Sequence, residues 1–193
     1  MSLWSSIRAL FRVLPPDVEA LTPADLGPVG PAPEPVVAPP PKDFNTLAIE
    51  VAAALARRFE GLYLTPYLCP AGVPTIGYGA TYYPDGTHVT LKDPAITRER
   101  ADELLLWMVR TVYLPAVLKL CPGVLGTTPE RLAALIDWTF NLGTGNLSAS
   151  TLRKRVNAGR WEDVPGEIRK WNKGGGRVLR GLLLRRDAEA ALI

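Results

Sequence analysis

The stretch FEGLYLTPYLCPAGVPTIGYGAT, residues 59–81, decides the fold prediction because the sequence pattern changes within it. It begins where a helical spacing of apolar residues ends. It continues with short runs of aromatic and β-branched residues that are broken by glycine and proline turns. Runs of this kind indicate antiparallel strands. We therefore predict a small antiparallel hairpin region over residues 62–90.

The segment before this hairpin region has the spacing of an amphipathic helix. We predict a first helix that begins near Asn45 or Thr46 and ends at Gly61, since glycine is a common residue just past a helix end. Glu60 would then stand at the helix C-terminus. The residues expected on its buried face are Leu47, Val51, Leu55 and Phe59.

The sequence after residue 90 predicts helices only. Thr97 and Thr128 have side chains that cap helix N-termini, and Pro129 follows at a first helical position that tolerates proline. These signals predict helices over residues 98–118 and 129–142.

Three further helices are expected towards the C-terminus. Two short ones should begin at Ser148 and after Gly159, and residues 177–193 should close the chain as an amphipathic helix. The predicted fold class is α+β and mainly helical, with one domain over residues 44–193.

The first 43 residues have a different composition. Residues 15–43 hold ten prolines, which remove backbone donors and restrict the backbone angles, so this stretch is predicted to be a linker. Residues 1–14 place apolar side chains at intervals of three and four, which is typical of a short basic amphipathic helix. Such a helix could dock on a membrane surface or a partner protein, or it could stay frayed, because isolated helices this short are marginal.

Composition limits the possible functions. With 47% apolar and 21% charged residues, the chain has the balance of a folded soluble protein. Two cysteines and the single His88 do not have the spacing of a zinc site, so neither a metal nor another cofactor is expected. The N-terminus lacks a signal cleavage site and no apolar run could span a bilayer, which predicts a cytoplasmic location.

Positive charge is concentrated at the C-terminal end. Residues 151–193 hold eleven Lys or Arg against five Asp or Glu, which favours an anionic partner. No nucleic-acid motif accompanies these residues, so nucleic acid is not expected as the partner. The chain is expected to be a monomer.

Glu60 is the residue best placed for acid chemistry. Hydrolysis of a glycosidic bond near neutral pH requires a carboxyl group that is still protonated there. The negative end of a helix dipole and the neighbouring aromatic rings both disfavour the ionised form of a carboxyl at this position. The alternative interpretation is an ordinary solvated glutamate at a helix end.

The spacing around Glu60 carries a resemblance. Eight residues separate Glu60 from Cys69, and five separate Cys69 from Thr75. This arrangement resembles the catalytic signature of phage-type lysozymes (T4-like, glycoside hydrolase family 24). Two later stretches are similar to motifs of the phage endolysins, namely ALIDWTFNLGTGNLSASTLRKRVNAG at residues 134–159 and WNKGGGRVLRGLLLRRDAEAAL at residues 171–192.

This resemblance implies a two-lobed fold with a cleft between the lobes. It also implies hydrolysis of the β-1,4 bond between N-acetylmuramic acid and N-acetylglucosamine in peptidoglycan. Glu60 would donate the proton, while Cys69 and Thr75 would position the attacking water. The positions that the resemblance assigns to substrate binding are Tyr78, Gly79, Phe140, Asn141 and Arg177.

Two of these positions carry an open alternative or a second role. Arg177 corresponds to an arginine that pairs with the catalytic glutamate in family members. Phe140, by contrast, has a spacing that also suits an ordinary core residue.

Cys69 departs from the aspartate that is usual at its position. A thiol of ordinary pKa ~8.5 is mostly neutral at pH 7. Because the local sequence contains no basic residue to stabilise a thiolate, we expect Cys69 chiefly to hold the water as a neutral thiol. A small buried cysteine is the other interpretation, and a disulfide with Cys121 after export is conceivable. Cys121 itself is expected to be a buried residue at a helix end.

Three biological roles fit these features. The first is an endolysin that stays in the host cytoplasm until a holin opens a path to the cell wall. The second is a lysozyme carried in the virion, with residues 1–14 docked on a particle protein. The third is a wall-binding module with low activity, suggested by the cysteine at position 69.

Overall fold

The computed structural model describes residues 43–193. The predicted N-terminal helix over 1–14 and almost all of the predicted linker over 15–43 lie outside these residues. Among residues 43–193, no helix has the length and apolar character needed to cross a membrane.

The chain folds into a mainly helical domain with two small antiparallel sheets. A π-helical turn at Val109–Tyr113 joins α2 (Arg98–Met108) to α3 (Leu114–Leu120), and a 3-10 turn at Pro122–Val124 follows α3. The helices are α1 (Phe44–Phe59), α2 (Arg98–Met108), α3 (Leu114–Leu120), α4 (Pro129–Leu142), α5 (Thr144–Ala149), α6 (Thr151–Asn157), α7 (Val164–Arg169) and α8 (Arg180–Ala190). The strands are β1 (Tyr63–Leu68), β2 (Pro74–Gly77), β3 (Lys173–Gly174) and β4 (Arg177–Val178).

Helix α1 buries mainly alanines, while the predicted Val51, Leu55 and Phe59 are half-buried. It begins at Phe44, because the side chain of Asp43 accepts a hydrogen bond from the Thr46 amide at 2.9 Å and caps the helix. The prediction that Leu47 faces the core is wrong, since that side chain is exposed. Small side chains let α1 lie close against α4, its main partner. The residues buried on α1 are Ala48, Ile49, Ala52, Ala53 and Ala56.

The predicted caps of the middle helices are confirmed. The hydroxyl of Thr97 accepts a hydrogen bond from the Arg100 amide at 3.1 Å, and that of Thr128 accepts one from the Arg131 amide at 3.4 Å. The helical path that starts after Thr97 runs through the π-helical turn to Leu120, two residues beyond the predicted end.

Two predicted helix starts are wrong. The cap before α6 is Ser150, whose hydroxyl accepts from the Arg153 amide at 3.0 Å, and not Ser148. The last helix begins at Arg180 and not at residue 177, because β3 and β4 form a tight hairpin first. Gly175 and Gly176 both have positive φ, which a two-residue hairpin turn requires and which glycine adopts at little cost.

The predicted hairpin after α1 is present as the antiparallel pair β1 and β2. Tyr67 pairs with Thr75 and Leu68 pairs with Pro74, while the register is irregular between Tyr63 and Tyr67. This register sets the chain just after β1 next to the chain at the start of β2.

Two groups of buried apolar residues form the interior. The smaller one contains Ile76 and Val89 from the hairpin region together with Leu104 and Met108 from α2. The larger one surrounds α4, which is buried continuously from Leu132 to Thr139. Phe140 packs against both groups and so marks their junction. This arrangement agrees with the predicted mainly helical α+β fold with a small β region.

Candidate functional site

Glu60 lies directly at the C-terminal end of α1. Its amide donates to the Ala56 carbonyl at 2.8 Å, while its own backbone is already extended and leads into β1. The side chain is 27% exposed, so the carboxyl is reachable from solvent although it is held by the protein. The helix end thus fixes the backbone of the candidate acid and leaves one side of its carboxyl open.

Arg185 on α8 is the cation that contacts this carboxyl. Its Nη1 donates to Glu60 Oε1, while Nε and Nη2 donate to the two oxygens of Asp137 at 2.9 and 2.8 Å. The guanidinium also lies near the rings of Phe59 and Phe140, at 5.9 and 6.0 Å from their centroids. One planar group therefore joins the end of α1 and the middle of α4 to α8.

The charge on Arg185 is stable despite its burial. Burial alone would lower the pKa of this arginine, but the hydrogen bonds and attraction of Asp137, followed by those of Glu60, outweigh burial and raise it. The guanidinium is therefore a permanent cation beside the candidate acid.

A second buried ion pair lies behind the first. Arg186 Nη2 donates to Glu189 Oε1 at 2.5 Å and to the side-chain oxygen of Asn141 at 3.2 Å. Burial raises the pKa of Glu189 above its ordinary value, and a hydrogen bond with Asp137 acts in the same direction. These groups fill the space between α4 and α8 with polar side chains that contact one another.

Cys69 and Thr75 meet across the hairpin. The pKa of the Cys69 thiol is lowered, first by the amides of Val73 and Ala71 in the turn after β1 and then by the hydroxyl of Thr75. The turn is closed by the Gly72 amide, which donates to the Cys69 carbonyl at 2.8 Å. The Thr75 hydroxyl also donates to the Val73 carbonyl at 2.9 Å.

The groups that lower this pKa are backbone amides of the turn and not basic side chains, so the prediction that no basic residue lies beside the thiol is not contradicted. Cys69 and Cys121 are both free thiols, and Cys121 is buried at the end of α3 as predicted.

Tyr67 connects the hairpin to the candidate acid. Its pKa is raised by burial and by nearby ionisable groups that include both Cys69 and Glu60. The ring stacks on that of Tyr63, with centroids 4.1 Å apart. Tyr67 thus lies within electrostatic range of both the carboxyl of Glu60 and the thiol of Cys69.

The predicted substrate-binding positions are not all alike in the structure. Gly79 is exposed in a turn with φ of 106°, which leaves its backbone accessible. Tyr78 is only 4% exposed and packs in the larger core, which argues against the predicted sugar contact. Phe140 is half-buried against Tyr113, and Asn141 is engaged by Arg186.

Arg177 is not the partner of Glu60. It pairs with Gly174 in the β3–β4 hairpin and its side chain is exposed, while the ion pair with the carboxyl is made by Arg185. Gly175 and Gly176 form the turn of this hairpin, and the last helix begins three residues after Arg177, so the equivalence assumed from the sequence was misplaced.

Sequence reasoning missed Arg185 and Asp137. A signal for both was present, because Asp137 lies between the apolar residues Ile136 and Trp138 in mid-helix and Arg185 follows three consecutive leucines. Charged residues are almost never fully buried unless they are paired, so an aspartate at such a position required a cation nearby.

Comparison with known proteins places this geometry in a family. The sequence profile described as phage lysozyme matches residues 57–189, which include every residue of the site. The chain belongs to the phage lysozyme family. The described domain is accordingly a lysozyme-type glycoside hydrolase domain, as the resemblance implied.

Individual relatives support the assignment to the phage lysozyme family. An endolysin of Bacillus phage B103 is 36% identical over 143 residues, 72% of this chain and 50% of the relative. An endolysin of Acyrthosiphon pisum secondary endosymbiont phage 1 is 34% identical over 149 residues, 74% of this chain and 94% of the relative. The chain thus spans about half the length of the first relative and nearly all of the second.

Solved structures give the same result for the fold. The endolysin from Escherichia coli O157:H7 phage FAHEc1 superposes with a TM-score of 0.63 at 32% identity, covering 78% of this chain and 92% of that one. The lysozyme-like fold therefore extends over the whole described domain.

Proposed function

We propose that this protein is a peptidoglycan hydrolase that cleaves the β-1,4 bond between N-acetylmuramic acid and N-acetylglucosamine and lyses the host as an endolysin. The observation that carries this proposal is that Tyr67 lies within electrostatic range of both the solvent-accessible carboxyl of Glu60 and the thiol of Cys69, which interacts with the Thr75 hydroxyl across the hairpin.

Glu60 is the proton donor in this proposal. Glu60 lies at the end of α1 within electrostatic range of the half-buried Tyr67, and its Oε1 accepts a hydrogen bond from Arg185. Because Arg185 donates only through Nη1 to Oε1, the other carboxyl oxygen is free of this arginine and can face the glycosidic oxygen.

Cys69 and Thr75 hold the attacking water on the other side of the sugar. A thiolate can accept a hydrogen bond from water and place negative charge near the developing positive charge of the sugar ring. The amides that lower the pKa of Cys69 support this electrostatic role. Attack by a positioned water, and not by the protein, corresponds to inversion at the anomeric carbon.

The acid is tested with Glu60→Gln, which keeps the shape of the side chain but cannot donate a carboxyl proton. We expect release of reducing ends from purified peptidoglycan to fall by at least about 100-fold, the contribution typical of a general acid. The matched control is Glu103→Gln, which neutralises an exposed glutamate on α2 and should leave the rate unchanged. Full activity of Glu60→Gln would remove Glu60 from the mechanism.

The water-positioning pair is tested with Cys69→Asp, Cys69→Ala and Thr75→Val. Aspartate should retain turnover because it restores a negative oxygen acceptor, while alanine should lose most of it. Mass spectrometry of the products separates hydrolysis, which yields a reducing sugar, from formation of an anhydro sugar. Equal rates for Cys69→Ala and the parent would contradict a role for the thiol.

The endolysin role is tested by the timing of lysis. The full chain is produced in the cytoplasm of a susceptible bacterium, and the membrane is then permeabilised with chloroform. Lysis only after permeabilisation supports release through an opening made by another protein, such as a holin. Lysis without it would indicate that the chain reaches the wall by its own route.

A further inference from the structure

Asp137 is a fully buried aspartate in the protein interior. It belongs to α4, between apolar residues, and is 0% exposed. An unpaired buried carboxylate is strongly unfavourable, and Asp137 avoids this by accepting two hydrogen bonds from the Nε and Nη2 edge of Arg185. Both carboxylate oxygens of Asp137 thus have a hydrogen-bond donor without any contribution from Glu60.

The geometry of this pair decides what remains for Glu60. A guanidinium offers five donors in a rigid plane, and two of its edges can each hold a carboxylate with two parallel bonds. Asp137 occupies one such edge, and Glu60 receives a single bond from Nη1. The rings of Phe59 and Phe140 lie close to the guanidinium and limit its rotation.

The charges around Glu60 also depend on Asp137. Asp137 and Arg185 together carry no net charge, so Glu60 faces the positive end of a neutral pair and not an isolated cation. Behind them lie Arg186 and Glu189; burial raises the pKa of Glu189, and its Oε1 also lies 3.7 Å from Arg185 Nε. The ionisable groups that interact with Glu60 from the hairpin region and the π-helical turn include Tyr67 and Tyr113.

We propose that Asp137 is a positioning residue for the acid: it holds Arg185 by one edge and offsets the positive charge that this arginine presents to the carboxyl of Glu60. This inference rests on the proposed role of Glu60 as the proton donor. Asp137 itself does not touch the substrate and acts through the arginine and its field.

The test is the pH dependence of peptidoglycan hydrolysis by Asp137→Asn in the full chain. Without the negative charge, Arg185 favours ionised Glu60 more strongly, so the proton is lost at lower pH. We expect the alkaline limb of the activity profile to move to lower pH by about one unit or more. Each unit is a tenfold change in the ratio of protonated to ionised acid.

Two further variants keep the test decisive. In Asp137→Ser a water can occupy the removed volume and accept a hydrogen bond from Arg185. This variant is therefore used if Asp137→Asn fails to fold, and its alkaline limb should move in the same direction. Thr139→Val is the structural control, because it removes a buried hydrogen bond on α4, from the hydroxyl to the Leu135 carbonyl at 2.6 Å, without changing charge. It should lower stability and leave the limb where it is.

The midpoint of the limb is read from the shape of the profile, so a partly folded preparation still reports it. An unmoved limb in a folded Asp137 variant, with Glu60→Gln inactive, would overturn this inference alone. Retained activity of Glu60→Gln would instead overturn the proposed function. A limb that moved equally in Thr139→Val would also contradict the inference, because it would assign the effect to a general loosening of α4.

Discussion

Replacement of Arg185 by methionine tests the buried ion pair through stability alone. The substitution leaves the Asp137 carboxylate fully buried after loss of its hydrogen bonds at 2.9 and 2.8 Å. Breaking a buried pair in this way costs about 3–5 kcal/mol. For a domain of this size a loss of 1 kcal/mol lowers the Tm by roughly 2–4 °C, so the Tm should fall by about 6–20 °C.

Two companion variants separate burial from the simple loss of an arginine. Arg169→Met removes another ion pair that involves α8, to Asp187 at 2.8 Å, but both side chains are 49% exposed. Exposed pairs contribute about 0–1 kcal/mol, so its Tm should change by no more than about 4 °C. The double variant Asp137→Leu with Arg185→Met should regain most of the lost stability, because apolar residues of similar volume can replace a buried pair.

The assay is thermal unfolding followed by circular dichroism at pH 7, with the same scan rate for all variants. The reasoning fails if Arg185→Met melts within the range of Arg169→Met. It fails equally if the double variant is less stable than Arg185→Met, because Asp137 would then be tolerated without its partner. Neither outcome depends on an activity measurement.

Three other substitutions and reactions test local features. Gly123→Ala should lower stability by about 1–3 kcal/mol, because the added Cβ would lie 2.5 Å from a backbone oxygen of α6. The control is Gly145→Ala, whose added Cβ has no atom within 4 Å and which should be neutral or stabilising in thermal melts. Iodoacetamide at pH 7 should modify Cys69 at least about tenfold faster than Cys121, as seen by mass spectrometry, since backbone amides lower the pKa of the first thiol while burial raises that of the second to about 11. Equal modification of both thiols in the folded chain would contradict the placement of Cys121 in the core. Thr97→Ala should cost about 1 kcal/mol in urea unfolding through loss of the α2 cap, and an unchanged midpoint would show that another group replaces it.

Local signals in the sequence were sufficient for much of the fold. Thr97 and Thr128 cap helices because their hydroxyls reach an amide three residues away, a relation that needs no tertiary contact. The hairpin after α1 was likewise predicted from turn residues and β-branched runs. Features fixed within a few residues of the chain are those that a single sequence reveals.

Features that depend on distant packing were missed. On α1 the choice between Leu47 and the alanines depends on how closely α4 approaches, which the periodicity of one helix does not contain. The partner of Glu60 was assigned to Arg177 because the three glycines before it were not recognised as a hairpin turn. The groups that lower the pKa of Cys69 are backbone amides, which nearly all residue types carry, so residue identity does not single them out.

The alanine-lined contact between α1 and α4 has a consequence for engineering this domain. Helices that pack closely through alanine side chains leave no space for larger ones. Substitution of Ala52 or Ala53 by a larger residue would therefore displace α1 away from α4. Glu60 directly follows the last residue of α1, so a displacement of this helix would also move the carboxyl away from the bond that it protonates. Attempts to make the domain more heat-resistant by filling its interior should therefore begin in the smaller apolar group around Ile76 and leave this seam untouched.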